Sequence, residues 1–205
     1  MSDDRINKIV DSVSKLFLDY GIRGVTMDDI AHRLAISKKT LYEFFNDKKE
    51  LVEAVLNRAR CEMEDHFNSM KENKLNAMEE LFHFYELQIQ MIRSNKPAFL
   101  YDLKKYYPDL YGKFQGFKHE AIYSNVISNL KKGIEEGYYR SDLNPDIITR
   151  NSLMRMECMM NSDIFSQDEF MSTEVFSEIF KYHLYGITSD KGREMIKNKF
   201  NTTNS

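Results

Sequence analysis

Apolar and polar residues alternate along the chain with helical spacing, three or four residues apart. Ile6, Ile9, Val10, Val13, Leu16, Phe17 and Tyr20 form one apolar face, which predicts a helix closed by Gly21. Thr26 followed three residues later by Asp29 has the form of a capping box. With Ile30, Ala31 and Leu34 as its inner face, it predicts a two-turn helix from about Met27 to Arg33. Ser37 is placed to cap a third helix reaching Phe44, and Asp47 with Glu50 a fourth, whose inner face includes Leu51, Val55 and Met63. Further on, Leu81, Phe82, Tyr85, Leu87, Ile89 and Ile92 mark a helix ending near Ser94. Pro97, Pro108 and Pro145 are start signals, since a first turn tolerates proline. One long helix is expected over 108–137, bent near Gly112 and Gly116, and another from Asn144 to about Asn161. A further helix is expected from about Thr173 to Gly186, and a short amphipathic one within 189–200.

Within this pattern the stretch LAISKKTLYEFFNDKKEL, residues 34–51, raises a question of purpose. Leu41 and Phe45 lie four apart and point to a core, whereas Lys38, Lys39, Tyr42 and Glu43 fall on the opposite side. Two short helices joined by Leu34-Ala35-Ile36 have the proportions of a helix-turn-helix, whose second helix enters the major groove with its polar face toward DNA.

GVTMDDIAHRLAISKKTLYEFFNDKKEL resembles the DNA-binding region of the TetR/AcrR family of bacterial transcriptional regulators. The likeness covers roughly residues 5–55 and rests on the mutual spacing of Thr26, Asp29-Ile30-Ala31, Ser37, Thr40-Leu41-Tyr42, Phe45, Lys48 and Leu51. A weaker echo, GYYRSDLNPDI over 137–147, resembles the loop into the family's late helices. The resemblance implies an all-α protein: a three-helix DNA-binding domain with a helix-turn-helix over 1–50, a larger helical effector-binding and dimerisation domain over 51–200, and a polar tail over 201–205.

It also assigns roles. Thr26, Tyr42 and Lys48 match positions that hold phosphates, fitting a hydroxyl, a phenol and an ammonium, all donors to anionic oxygen. Lys38, Lys39 and Thr40 match the variable positions that read bases, and Ser37 completes the DNA-binding set. Two residues depart from the pattern: Ala35 stands where the family usually has glycine, and Phe44 where it often has Tyr or His. The implied partners are double-stranded operator DNA, a second copy of the chain and a small-molecule effector. The expected function is a repressor released from a palindromic operator by a small, largely apolar effector.

Phe82, Tyr85, Gln88, Phe99, Tyr106, Phe114, Phe117, His119, Tyr123, Met154 and Met159 are the candidates for an effector pocket. At helical spacing, aromatic and methionine residues are also ordinary core. For the dimer surface, Val175, Ile179 and Leu184 on the last two long helices are the candidates, with their own subunit's core as the alternative.

Composition changes this picture little. The 205 residues carry 29 Lys and Arg against 32 Asp and Glu, with three prolines and eight glycines, which favours ordered helices. The net charge of −3 runs against a nucleic-acid partner, but residues 1–60 hold 11 basic and 10 acidic side chains and the remainder 18 and 22, so the basic share sits at the front. The acidic Ser2-Asp3-Asp4 start and the lack of an apolar run long enough to span a bilayer lead to an expected cytoplasmic location without a membrane partner. Cys61 and Cys158 have no metal-ligand spacing and no disulfide is expected.

An enzyme needs a site. His32, His66, His83, His119 and His183 show no paired ligand spacing; Glu79 and His83 are four apart, but one such pair is a common accident. A phosphate loop and a nucleophile elbow are both absent. No catalytic residue, metal or cofactor is therefore expected. The competing reading is a helical adaptor or ligand-binding protein without a DNA role, which leaves the polar face of the third helix without a purpose.

Overall fold

The computed structural model describes residues 2–94, 97–161 and 172–201, together with 165, 166 and 169. Its elements are α1 (Ser2–Gly24), α2 (Met27–Arg33), α3 (Lys38–Tyr42), α4 (Lys48–Glu72), α5 (Ala77–Ser94), α6 (Pro97–Tyr106), α7 (Pro108–Glu135), α8 (Pro145–Asn161), α9 (Thr173–Ile187) and α10 (Asp190–Asn201). The fold is all-α, as the periodicity requires. The three prolines open α6, α7 and α8, and Asn144 caps α8 by accepting the backbone N–H groups of Asp146 and Ile147. The long α7 passes through Gly112 and Gly116 without a break.

The chain forms two compact units. The first comprises residues 1–66 and 95–118, so that α6 and the start of α7 join the three N-terminal helices and most of α4. Its core gathers Val13, Phe17 and Ile22 with Ile30, Leu41, Phe45, Leu51, Val52, Leu103 and Leu110. The apolar stripe of α1 ends at Phe17, and Tyr20, expected on that face, is exposed. At Gly21 the backbone leaves the helix with φ 76° and ψ 161°, and the core contact passes to Ile22 and Val25, both buried. Only glycine fits here. The left-handed φ is strained for any L side chain, and a Cβ would stand 2.8 Å from Asp102 Oδ2. That carboxylate accepts the backbone N–H of Arg23 at 2.7 Å, tying α6 to the end of α1.

The second unit comprises residues 67–94 and 119–205. Met78, Phe82, Leu130, Tyr139, Phe180, Leu184, Ile187 and Ile196 form its core. Buried Tyr139, in the loop between α7 and α8, lies against Gly133, where an added Cβ would stand 2.1 Å from its ring. Its hydroxyl donates to Asn129 Oδ1 at 2.8 Å, and burial holds the phenol well above the usual tyrosine range. Leu184, a candidate for the dimer surface, is fully buried in this core, whereas Ile147 and Met154 of α8 and Tyr182 and Tyr185 of α9 are exposed.

Candidate nucleic-acid interface

The helix-turn-helix is built by caps and a buried apolar wedge. Thr26 Oγ1 accepts the Asp29 backbone N–H at 3.1 Å while Asp29 Oδ2 accepts the Thr26 backbone N–H at 2.8 Å, completing the capping box that starts α2. The Thr26 hydroxyl also donates to Asp29 Oδ2 at 2.6 Å. These bonds, the side-chain one foremost, hold the Asp29 carboxyl below the usual carboxylate range. Both donors of Thr26 therefore point at Asp29, so any anion arriving at this position would compete with that carboxylate.

Between α2 and α3 the turn is carried by Ala35, with φ 53° in the left-handed region that favours glycine. Its N–H donates to His32 O at 3.1 Å, and the Ile36 N–H donates to Ala31 O at 3.0 Å. Ser37 then caps α3, its Oγ accepting the Thr40 N–H at 3.0 Å and sharing a 2.8 Å hydrogen bond with Thr40 Oγ1. α3 ends at Tyr42, short of the Phe44 that the sequence pattern predicts, with the N–H groups of Phe44 and Phe45 donating to Leu41 O.

The wedge fixes what α3 offers to solvent. Leu41 and Phe45 are buried, so Lys38, Lys39, Tyr42 and Glu43 are turned outward. Tyr42 is 43% exposed. Lys38 Nζ forms an ion pair with Asp28 Oδ2 at 2.8 Å, a bridge from α3 to α2 that the sequence pattern did not reveal; it raises the lysine's pKa. The Lys39 ammonium has no hydrogen bond or ion pair among the described residues. Asp47 caps α4 by accepting the Glu50 N–H at 2.8 Å. Lys48 is half-buried, its Nζ 5.9 Å from the Phe17 ring centroid. Burial lowers its pKa, and the charges of Asp102 and Asp29 oppose that shift.

Such a surface carries ammonium, hydroxyl and phenol groups that can donate hydrogen bonds to an anion. No group of three or more His, Cys, Asp or Glu residues able to hold a metal occurs among the described residues, and no helix there is long and apolar enough to cross a membrane. The profile described as "Bacterial regulatory proteins, tetR family" matches residues 9–55. The biofilm operon icaADBC HTH-type negative transcriptional regulator IcaR of Staphylococcus aureus (strain Newman) is 30% identical over 193 residues, covering 88% of this chain and 95% of that protein. This chain belongs to the tetR family of bacterial regulatory proteins. It is, with its relatives, a DNA-binding transcriptional regulator of the helix-turn-helix type.

Two further similarities extend over most of the TetR-family chain. An uncharacterized HTH-type transcriptional regulator, YvaF of Bacillus subtilis (strain 168), is 28% identical over 167 residues, 81% of this chain and 87% of that one. The crystal structure of AibR in complex with isovaleryl coenzyme A and operator DNA shares the fold, with a TM-score of 0.55 at 15% identity over 84% of this chain and 97% of that one.

The residues named for an effector pocket fall in both units. In the first, Phe99 and Phe114 pack against the core, Tyr106 is 41% exposed, and Phe117 lies beneath the Arg60 guanidinium at 5.2 Å. In the second, Phe82 is buried, and Tyr85 stacks on Phe180 at 4.7 Å and on Phe176 at 5.8 Å, its hydroxyl 2.8 Å from Ser177 Oγ. Gln88 is half-buried, His119 Nε2 stands 2.9 Å from Glu157 Oε1, the Tyr123 hydroxyl donates to Asp146, and Met154 is exposed. The side chain of Met159, like that of Cys158, lies outside the described residues. A cleft of about 410 Å³ in the second unit is lined by Glu79, Phe82, His83, Glu86, Met195, Asn198 and Lys199.

Proposed function

We infer that this regulator is a dimeric repressor that grips a palindromic operator with two copies of α3 and is released by a small, largely apolar effector. The observation that carries the reading is the outward face of α3. Lys38, Lys39 and Thr40 occupy its first turn, the end that reaches base edges, and Tyr42 and Lys48 flank them as phosphate donors. Lysine offers donors that suit guanine O6 and N7. The adaptor alternative provides no use for this face.

One short recognition helix touches too few base pairs to be selective, so two must be paired across successive major grooves, about 34 to 36 Å apart. The large apolar side chains that α8 and α9 leave in solvent suit a surface shared with a second copy: Ile147 and Met154, seven apart, and Tyr182 and Tyr185, three apart. Repression is supported by the similarity to IcaR, a negative regulator. The effector reading rests on the family membership and on AibR, a structural neighbour whose structure holds isovaleryl coenzyme A together with operator DNA.

Selection of bound sequences from a random duplex pool tests the reading. A palindromic consensus with half-sites about one helical turn apart is the expected result. Enrichment of a single, unrepeated half-site would remove the dimer, and no enrichment would remove the operator.

A further inference from the structure

The DNA-binding unit carries a second basic surface, apart from the helix-turn-helix, on α6 and the end of α1. Tyr101 is 60% exposed and, with Tyr106, covers no core, yet both rings hold cations. Lys105 Nζ lies 5.2 Å from the Tyr101 ring centroid and 5.6 Å from that of Tyr106, and donates to the Tyr101 hydroxyl at 2.9 Å. The Arg23 guanidinium lies 5.6 Å from the Tyr106 ring and donates to its hydroxyl at 3.1 Å. Lys104 is exposed beside them. Among the described residues no carboxylate pairs with these three cations, and the acid in the same helix, Asp102, is buried and takes the Arg23 backbone N–H. A protein of net charge −3 thus keeps an unneutralised patch whose ammonium and guanidinium are held against aromatic faces.

Its position gives the partner. Arg23 is three residues before Thr26, the phosphate-binding candidate at the start of α2. After Tyr106 the chain continues to Tyr107, whose phenol is held above the usual range by burial first and then by the charges of Asp47 and Asp102. Asp47 is the cap immediately before Lys48. The patch therefore borders the end of the unit where phosphate contact is expected. Its side chains are exposed along the outside of a helix, an arrangement that suits an extended polyanion.

We propose that Arg23, Lys104 and Lys105, steadied by Tyr101 and Tyr106, form an auxiliary contact to the DNA phosphate backbone beyond the phosphates held by the helix-turn-helix. The proposal rests on the DNA-binding reading above. It adds affinity without sequence preference, because phosphates carry no sequence information.

The test is fluorescence anisotropy of a labelled duplex that carries the selected operator with flanks on both sides, titrated over a range of salt. Lys104→Ala/Lys105→Ala is expected to lower the slope of log K against log salt by about 2, at about 0.9 per phosphate. Binding at about 0.1 M salt weakens by about tenfold or more, equally for operator and unrelated duplex. Lys104→Arg/Lys105→Arg is expected to keep the wild-type slope. If the double alanine variant does not fold, Lys104→Ala alone carries the test with a slope change of about 1. A wild-type slope in the alanine variant, alongside a reduced slope in Lys48→Ala, overturns the auxiliary contact and leaves the DNA reading intact. Failure of the wild-type protein to bind any duplex overturns both.

Discussion

Ala35 sits at φ 53°, a backbone region that costs an L residue with a Cβ about 1–2 kcal/mol and glycine almost nothing. The turn between α2 and α3 demands that conformation, because the Ala35 and Ile36 N–H groups must close back on the carbonyls of His32 and Ala31. Ala35→Gly therefore relieves the strain, less the extra freedom glycine gives the unfolded chain. The expected gain is about 0.5–1 kcal/mol, seen as a rise of about 1–4 °C in thermal melting. An unchanged or lowered melting temperature would show that the αL cost is absorbed elsewhere. Lys48→Ala is a different case. A phosphate contact carries no sequence information, so binding should weaken on operator and unrelated DNA alike and the salt slope should fall by about 1. A loss confined to the operator would make Lys48 a reader of bases.

At the scale of elements, the caps were legible from the sequence because each is a local agreement between a side chain and a backbone N–H three residues away, as in Thr26 with Asp29 and Asp47 with Glu50. The prolines of α6, α7 and α8 were legible because a first turn has no use for the N–H that proline lacks and suits its fixed φ. Contacts between distant residues were not. Asp102 reaches Arg23 across 79 positions, and nothing in the spacing of α6 announces that it packs on the end of α1. The Lys38–Asp28 pair was hidden too, since either charge alone reads as a solvated side chain. Leu184 reads equally as dimer surface or as its own subunit's core, because helical periodicity marks an apolar face without saying whose core it enters; it is buried in its own.

His183 of α9, which feels the charge of Arg155 on α8, leads to a pH prediction. Burial, and then the Arg155 charge, lowers the pKa of His183 to about 3 from an ordinary 6.5, so the folded protein keeps a neutral imidazole that the unfolded chain protonates below about pH 6.5. The unfolded state then binds more protons, and stability present above that pH is lost as pH falls from about 6.5 toward 3, by at most about 1.4 kcal/mol per unit. Urea midpoints at pH 7 and pH 5 measure this. His183→Gln should narrow the gap between them; an unchanged gap would assign the acid sensitivity to other groups.

For the whole molecule, repression relieved by an effector requires two copies and a ligand-dependent choice between conformations. Tyr182 lies largely in solvent on α9, so Tyr182→Glu should leave the fold intact while shifting sedimentation at micromolar concentration toward the monomer and weakening operator binding. A dimer that survives this change would move the shared surface elsewhere. Effector release is a coupling free energy and therefore reciprocal: a tenfold loss of DNA affinity requires only about 1.4 kcal/mol of differential binding. Operator DNA must then weaken effector binding by the same factor. Calorimetric titration of an effector with and without operator checks it, and equal affinities would refute release.

If the outward face of α3 reads DNA, Lys39, exposed and without a hydrogen bond or ion pair among the described residues, is the residue whose replacement shows it most directly. The measurement is selection from a random duplex pool, run in parallel with the wild-type protein and Lys39→Ala. The expected result is a palindrome for the wild type and, for the variant, relaxed preference at one or two positions in each half-site, with a cost of about 1–3 kcal/mol on the wild-type consensus. An identical consensus at undiminished affinity in the variant would contradict it.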